Sequence, residues 1–366
     1  MLLECEKSKI ESVIQKASRL ANKHLTLPVL ACIYLEAIEG KLIVRSTNLD
    51  LGIEIDLKVK VLKTGVLAVP ANVLLGALSS MKDPKIVLES KEGNLKVSSG
   101  KNSALIKCLP YEDFPVIPKL NNGNVLKINS HNLISGFKSV WYSASVSNIK
   151  PELSSVYVYK EDTGLVFVAT DSFRLAEKKI NIKITEDFPQ ILIPFKNVAE
   201  IMKLFEDYNG DLNIIFEKNQ AAFTADDTYV VSRLIDGNFP DYKQIIPKNF
   251  ATTAVILKND IINSIKASNV FSDTLNQVRF KTNIKDKNIK IESKNNDVGE
   301  YQDFINTASI SGEDVELNFN NKYIMDCMQS ITADSLSLSF GGIGKPLVIN
   351  GATDKSFLYL VMPMNR

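Results

Sequence analysis

Few residues of this sequence have the types and spacing that catalysis requires. The two histidines, His24 and His131, stand at no spacing that would ligate a metal ion. The stretch GGIGKP at 341–346 lacks the spacing of a phosphate-binding loop, so we interpret it as a hairpin turn. Asp171 and Ser172 are adjacent, but no histidine lies near them in the sequence to activate the serine. We therefore predict a protein without catalytic residues, metal ions or cofactors.

The composition is that of an ordinary cytoplasmic protein. With 366 residues, 45% of them hydrophobic and 23% charged, the chain has enough material for about two or three domains. It contains no apolar run of membrane-spanning length, and the apolar part of MLLECEKSKI is too short for a secretory signal. Cys5, Cys32, Cys108 and Cys327 lie far apart, which fits reduced thiols in a cytosol. Because the net charge is only +1, a basic surface would have to arise from the arrangement of charges.

The chain repeats itself. LPYEDFP (109–115) and LIDGNFP (234–240) share a leucine, four spacer residues and Phe-Pro. The leucine closes a strand-like run in each case, ALIKCL and YVVSRL, and a third run, KSFLYL, closes at Leu360. The three leucines are 125 and 126 positions apart. We interpret Leu-x4-Phe-Pro as a linker between repeats, in which phenylalanine pins the connector against the preceding domain and proline stiffens its exit.

Helical and β-rich segments keep the same period. VPANVLLGAL, IPFKNVAEIM and FNNKYIMDCM each pass from a strand end into a helical pattern. SKIESVIQKA, HNLISGFKSV and NDIINSIKAS lie upstream of them, and KLIVRST, GLVFVAT and IKIESKN are strand-like stretches in between. The sequence therefore predicts three similar α+β domains, at 1–120, 121–248 and 249–366.

The first helix carries a basic stripe. On a helical wheel of about 100° per residue, its basic residues fall within about 80° of one another, beside the apolar face. Such a stripe is typical of a solvated helix face, and it also suits phosphate binding if three equivalent helices face one side. The residues are Lys9, Lys16, Arg19 and Lys23.

The chain resembles the family of bacterial DNA polymerase III β sliding clamps in five stretches that span nearly the whole sequence. FPDY and VMPM, in this order, are quite specific to that family. The stretches are LTLPVLACIYLEA (25–37), CLPYEDFP (108–115), VATDSFRLAE (168–177), LIDGNFPDYKQIIPKN (234–249) and YLVMPM (359–364).

The resemblance implies a fold class of α+β with three tandem clamp domains per chain. It implies that two chains close head to tail into a six-domain ring, with helices inside and sheets outside. Such a ring would encircle double-stranded DNA and tether the DNA polymerase III catalytic subunit, with no catalysis of its own. The expected partners are DNA, a second copy of the chain, the clamp-loader complex and other replication and repair proteins that carry clamp-binding peptides. No membrane partner is expected.

The resemblance also implies positions for two contact surfaces. The dimer contact would join Val270 and Phe271 to the first-domain edge at Ala104 and Ile106, although Val270 and Phe271 also fit core residues at a helix end. DNA-facing positions, besides the basic stripe, would be His24, Ser147, Asn148 and Lys150. Relatives often have arginine where this chain has His24.

A third implied surface is a pocket that docks partner peptides, with apolar, Met-rich walls that adapt to varied sequences. This chain departs from the usual family pattern at Ser172-Phe173, at Gln244 and at Asn365-Arg366. Taken alone, LYLVMPM also fits a core strand that runs into a frayed tail. The implied pocket residues are Leu153, Thr170, Ser172, Phe173, Arg174, Leu175, Pro240, Ile245, Asn320, Tyr323, Leu360, Met362, Pro363 and Met364.

Two other classes of function stay open at this point. One is a three-domain enzyme or small-ligand binder with its site at a domain junction, which the missing catalytic constellation disfavours. The other is a protein-interaction scaffold that does not enclose DNA.

Overall fold

In a computed structural model, the chain divides into two units. One unit contains Met1–His131 and Ala199–Leu234, and the other contains Asn132–Val198 and Ile235–Arg366. None of the helices in the described part of the chain is both long and apolar enough to cross a membrane. The structure describes residues 1–21, 26–120, 124–162, 164–184 and 188–364.

The first third of the chain contains two helices, and both lie where the sequence predicts them. Helix α1 buries Ile10, Ile14 and Ala17, which is the apolar face of the helical wheel. Helix α2 begins directly after a strand that ends at Pro70. The elements are β1 (Leu2–Glu6), α1 (Lys7–Ser18), β2 (Cys32–Ile38), β3 (Lys41–Thr47), β4 (Leu51–Lys58), β5 (Lys60–Lys63), β6 (Gly65–Pro70), α2 (Ala71–Ser80), β7 (Lys85–Lys91), β8 (Asn94–Ser99) and β9 (Asn102–Ile106).

The middle third repeats this order of elements. A strand leads into the first helix, and a strand that ends at Pro194 leads directly into the second. The elements are β10 (Asn124–Asn129), α3 (Ser130–Val140), β11 (Ser155–Glu161), β12 (Gly164–Thr170), β13 (Arg174–Asn181), β14 (Ile191–Pro194), α4 (Phe195–Phe205), β15 (Asp211–Glu217), β16 (Gln220–Ala225) and β17 (Thr228–Arg233).

The last third repeats the order again, with a short 3-10 helix, Tyr242–Ile245, in the connector before it. Its second helix begins directly after a strand that ends at Asn320. The predicted helical segments of all three repeats are thus confirmed. The elements are β18 (Thr252–Leu257), α5 (Lys258–Asn269), β19 (Gln277–Asn283), β20 (Asn288–Asn295), β21 (Gly299–Asn306), β22 (Ser309–Gly312), β23 (Glu316–Asn320), α6 (Asn321–Met328), β24 (Ser335–Phe340), β25 (Leu347–Gly351) and β26 (Phe357–Val361).

The strands of the described residues form four antiparallel sheets, two of which combine strands from different repeats. One sheet has the order β5-β1-β7-β8-β9 and another β21-β20-β19-β23. The eight-stranded sheet, β10-β15-β16-β17-β4-β3-β2-β6, joins the first and second repeats where β17 pairs with β4. The nine-stranded sheet, β14-β11-β12-β13-β26-β25-β24-β18-β22, joins the second and third repeats where β13 pairs with β26.

The linker phenylalanines pin the connectors as predicted. Phe114 packs on a cluster in the first repeat and lies 5.2 Å from the Tyr34 ring, centroid to centroid. Phe239 stacks on Tyr157 of the second repeat, with 4.8 Å between centroids and 10° between ring planes. Apolar contact of this kind fixes an exposed chain segment without further secondary structure.

Two sequence-based limits were wrong. The strand predicted to reach Leu109 ends at Ile106, and Leu109 forms only an isolated bridge with Ala68 before Pro110. Helix α1 ends at Ser18, whereas the helical wheel extended to Lys23. Arg19 still has helical backbone angles at the C-cap, so its place on the wheel holds.

Candidate functional site

The strongest candidate site lies where β13 pairs with β26. In this antiparallel pair Leu175 lies opposite Leu360. Both side chains are buried in one apolar cluster, against which Met362 packs. The backbone amide of Met362 donates a 2.8 Å hydrogen bond to the carbonyl of Phe173, which continues the pairing beyond the end of β26. The structure therefore brings these four predicted residues together.

The turn that precedes β13 is held by local hydrogen bonds. Asp171 Oδ1 accepts from the backbone amides of Phe173 and Arg174, at 2.9 Å each. The Thr170 hydroxyl donates to the carbonyl of Arg174 at 2.7 Å. Ser172 has a φ of 77°, in the left-handed region that favours glycine. This geometry leaves the Phe173 side chain 62% exposed.

The guanidinium group of Arg174 is already paired with neighbouring protein groups. Its Nε lies 3.0 Å from Asp171 Oδ2, and its Nη1 lies 2.5 Å from Asp326 Oδ2. Its Nη2 donates to the carbonyl of Tyr142 at 2.7 Å, and the guanidinium lies 4.3 Å from the centroid of the Tyr323 ring. Arg174 therefore ties the turn to helix α6, and it offers little free charge to a ligand.

The ionisation states around Arg174 support this role. Burial disfavours the charged guanidinium, but Tyr359, Asp326 and Asp171 raise the pKa of Arg174 overall. Burial also raises the pKa of Tyr323 and of Tyr359. The arginine is therefore charged and both tyrosines are neutral at physiological pH.

The tail that follows β26 is tied to β23, the strand that leads into α6. The Asn320 side chain caps this helix, since its Oδ1 accepts from the amides of Lys322 at 3.0 Å and Tyr323 at 3.3 Å. The amide of Met364 donates to the carbonyl of Asn318 at 2.8 Å. The predicted tail residues are partly buried: Met362, Pro363 and Met364. The strand interpretation of LYLVMPM is thus correct up to Val361. The tail that follows is not frayed, because the hydrogen bond to Asn318 holds it up to Met364.

The connector at 239–245 adds exposed residues to this area. Pro240 and Ile245 are exposed, while Tyr242 between them is buried in the same apolar cluster as the β13–β26 pair. Gln244 is exposed, and its Nε2 donates to a neighbouring aspartate at 2.7 Å. The cluster therefore supports both the paired strands and the connector.

Leu153 is buried at the base of the loop 144–154. Its backbone amide donates to the carbonyl of Lys150 at 3.0 Å, and its carbonyl accepts from Ser145 at 2.8 Å. Leu153 therefore makes its backbone hydrogen bonds within the loop.

The sequence did not indicate that the turn at 341–346 lies near the candidate site. It joins β24 to β25, so the hairpin interpretation of GGIGKP is confirmed. The first residue of β25, Leu347, lies opposite Val361, the last of β26, so the turn and the tail share one end of the sheet. Ile343 at the turn is 92% exposed. An isoleucine between glycines was the only signal in the sequence.

The basic stripe of α1 carries less free charge than the wheel predicts. Lys9 lies 3.0 Å from Glu6, and Arg19 Nε lies 2.7 Å from Glu200 Oε2. Lys16 is partly exposed. The other two predicted DNA contacts on this segment, Lys23 and His24, lie outside the described residues.

The loop 144–154 exposes its predicted DNA-facing residues. Ser147, Asn148 and Lys150 are all exposed. Two exposed apolar side chains, Val146 and Ile149, lie in the same loop. The surface of this loop is therefore mixed, with one cation and two apolar residues.

Strand β9, which carries two of the predicted dimer residues, ends its sheet. Ile106 is buried inside its own unit, and Ala104 lies on the same face of the strand because side chains alternate. The residue that points outward is Leu105, which is 60% exposed. The two residues predicted for the dimer contact, Ala104 and Ile106, thus lie on the inner face of this strand.

Strand β21 ends the four-stranded sheet of the other unit. Val270, the C-cap of α5, is 66% exposed, so it is not a core residue. Phe271 stacks on Tyr301 of β21, with 6.0 Å between centroids. Phe304 of the same strand is also exposed. This edge therefore presents an aromatic and apolar surface.

The described residues give little support to a metal or small-ligand site. Within those ranges, no group of three or more His, Cys, Asp or Glu side chains is arranged to hold a metal ion. A cleft of about 480 Å³ lies on β19–β21, lined by side chains such as Arg279, Glu292 and Gln302. Its lining is mainly polar, whereas small-molecule pockets are mostly apolar.

The comparisons with known proteins agree with this fold. The models of the DNA polymerase III beta subunit match the chain in order: the N-terminal domain at residues 1–118, the central domain at 127–241 and the C-terminal domain at 243–365. The chain therefore belongs to the DNA polymerase III beta-subunit family. It is accordingly a sliding clamp, a processivity subunit and not a catalytic one. The predicted domain limits, 1–120, 121–248 and 249–366, stay predictions.

Individual relatives are distant in sequence but similar in structure. The beta sliding clamp of Staphylococcus epidermidis is 24% identical over 348 residues, which are 93% of this chain and 92% of the relative. The Bacillus subtilis sliding clamp has a TM-score of 0.95 at 22% identity, over 100% of this chain and 99% of that one. The Thermotoga maritima beta subunit has a TM-score of 0.92 at 25% identity, over 100% and 99% of the two chains.

Proposed function

We propose that two copies of this chain close head to tail into a six-domain ring that encircles duplex DNA in the cytoplasm. The ring tethers the DNA polymerase III catalytic subunit and other partners by docking their peptides. The observation that carries the docking function is the surface at the β13–β26 pair, where Phe173, Pro240 and Ile245 are exposed above one apolar cluster.

The two sheet edges support the head-to-tail contact. An edge strand offers backbone groups that another strand can pair with. The two edges differ, as a heterologous contact requires. Lys101 and Lys107 flank β9, whereas Glu300 and Asp303 lie on β21, so the charges favour β9 of one copy against β21 of the other.

Because a closed ring encloses its DNA, weak contacts are enough to retain the DNA. Phosphate contacts hold any sequence equally, so a closed ring keeps its DNA without a tight grip at one place. We propose Lys9, Lys16, Lys23 and Lys150 as the cationic contacts, with Arg19 weakened by Glu200. His24, Ser147 and Asn148 would add polar contacts.

The docking surface suits peptides with large apolar side chains. Methionine and aromatic side chains adapt to varied shapes, as a clamp with several partners requires. Arg174 and Asn320 hold the frame of the surface, through the α6 cap and the two ion pairs. The clamp loader and repair proteins would reach the same surface with similar peptides.

Peptide binding by surface variants tests this proposal. The probe is a labelled synthetic peptide that copies the clamp-binding segment of the DNA polymerase III catalytic subunit from the same organism. F173A combined with I245A should weaken its binding about tenfold or more, because truncation of an exposed apolar anchor removes buried contact area. L257A, at another exposed apolar residue of the same unit, is the matched control and should bind as the wild type. Equal affinity of all three proteins would refute the docking surface.

A further inference from the structure

We propose that Glu177 is a positioning residue that fixes the connector 239–245 as one wall of the docking surface. This inference rests on the proposed peptide-docking function. Its partners are Tyr242 in the connector and Tyr159 on β11. Family resemblance gave no role to any of the three residues.

A chain of hydrogen bonds joins the connector to β13. The Tyr242 hydroxyl donates to the carboxylate of Glu177. A phenol has one hydroxyl proton, so the contact of 2.9 Å between the two tyrosine hydroxyls must be donated by Tyr159. The order is therefore Tyr159 to Tyr242 to Glu177, and the chain ends at a carboxylate oxygen, which only accepts.

The surroundings make this chain strong. Glu177 is 7% exposed, and both tyrosines are buried in the cluster that contains Leu175 and Leu360. Hydrogen bonds are stronger in such surroundings, and an unpaired polar group is costly there. Lys179 Nζ lies 4.0 Å from the other carboxylate oxygen, which offsets the buried charge.

The connector has few other anchors. Phe239 stacks on Tyr157, and Lys243 Nζ lies 2.9 Å from Glu161. The Lys243 side chain is about half exposed, and exposed ion pairs contribute little. The 3-10 helix that carries Ile245 has only four residues, so it depends on tertiary contacts to hold its shape. Tyr242 is its buried residue.

The geometry links this anchor to the docking surface. Pro240 and Ile245 flank Tyr242 and are exposed, and Glu177 stands two residues after Leu175 on β13. The same strand thus supplies the floor of the surface and the acceptor that fixes its wall. A wall held in place before binding loses less entropy when a peptide docks.

Four variants test the proposal by their affinity for the labelled polymerase peptide. E177A and Y242F should each weaken binding about tenfold, because either change breaks the hydrogen bond to the buried carboxylate. E177Q keeps an acceptor oxygen and should bind within about twofold of the wild type. The double variant E177A/Y242F should bind no worse than E177A alone, since both changes break one link.

Unfolding midpoints and the surface variant F173A/I245A make the outcomes distinct. Binding is measured well below the lowest midpoint, so that a loss of affinity reports the connector and not unfolding. Wild-type affinity of E177A and Y242F, with weakened F173A/I245A, would overturn the positioning role alone. Equal loss in E177Q and E177A would also overturn it. Wild-type affinity of F173A/I245A would refute the docking surface itself. If E177A does not fold, Y242F and E177Q still decide, because both keep the shape of the side chain.

Discussion

At the scale of single residues, the proposed docking surface depends on polar groups that are already bonded to neighbouring residues. Arg174 has two carboxylate partners, a carbonyl and an aromatic ring, so its task is to hold the turn and α6 together. Ser172 takes a left-handed conformation that suits glycine. The hydrogen bonds that Asp171 accepts from the amides of Phe173 and Arg174 hold this strained turn in place.

Replacement of Ser172 by glycine should stabilise the protein. A left-handed backbone costs a residue with a side chain about 1–3 kcal/mol, which exceeds the greater entropy of glycine in the unfolded chain. We expect S172G to raise the free energy of unfolding by about 0.5–1 kcal/mol, measured by urea denaturation. S147G, in an exposed loop without a positive φ, is the control and should lower it slightly. A loss of stability in S172G would show that the turn is not strained.

The sequence predicted which residues of the candidate site lie together better than it predicted their contacts. Family resemblance brought Leu175, Leu360 and Met362 together, and the structure packs them in one cluster. It assigned no part to Glu177, because a glutamate in AEKKI reads as a surface residue. Only tertiary packing buries it beside Tyr242, and no local pattern records such a contact.

At the scale of elements, helix starts were predictable and strand limits were not. Pro70, Pro194 and Asn320 each end a strand directly before a helix, and these residue types mark helix starts. The end of β9 at Ile106 depends on pairing with β8, which a local pattern cannot report. For the same reason, the sequence did not indicate that the Leu105 side chain points outward.

The exposed face of β9 gives a direct test of the dimer contact. L105D places a charge at the centre of the proposed interface and should convert the dimer to monomers, because buried unpaired charges are costly. L62D is the matched control: Leu62 is exposed on β5, the opposite edge of the same sheet, and its replacement should leave the dimer intact. Light scattering at micromolar concentration measures both. If L62D dissociates the dimer and L105D does not, the interface lies at β5 and the proposal of β9 is wrong.

At the scale of the whole molecule, the three repeats share sheets. Strand β17 pairs with β4, and β13 with β26, so two sheets run from one repeat into the next. The period of the sequence predicted the repeats, but pairing between distant strands leaves no local pattern. Family membership then assigns the clamp architecture that the period alone left open.

An ion pair lowers the free positive charge of the proposed DNA-facing helix α1. Glu200 lies against Arg19, so E200Q should free that cation for a phosphate. We expect stronger binding to a duplex of about 30 base pairs and a salt dependence steeper by at most about 0.9 in the log–log slope. E89Q is the control: it removes an acid of β7 that is paired with Lys96 of β8, and it should leave the affinity and the salt dependence unchanged. No change in E200Q would place Arg19 away from the DNA.

The central claim is that two copies form a closed ring, and small-angle X-ray scattering coupled to light scattering tests it most directly. The measurement uses the full chain in solution at micromolar concentration. A closed ring predicts a dimeric mass and a distance distribution with the depleted short distances of a hollow, flattened particle. A monomeric mass, or a dimer with the distribution of a solid particle, would contradict the account.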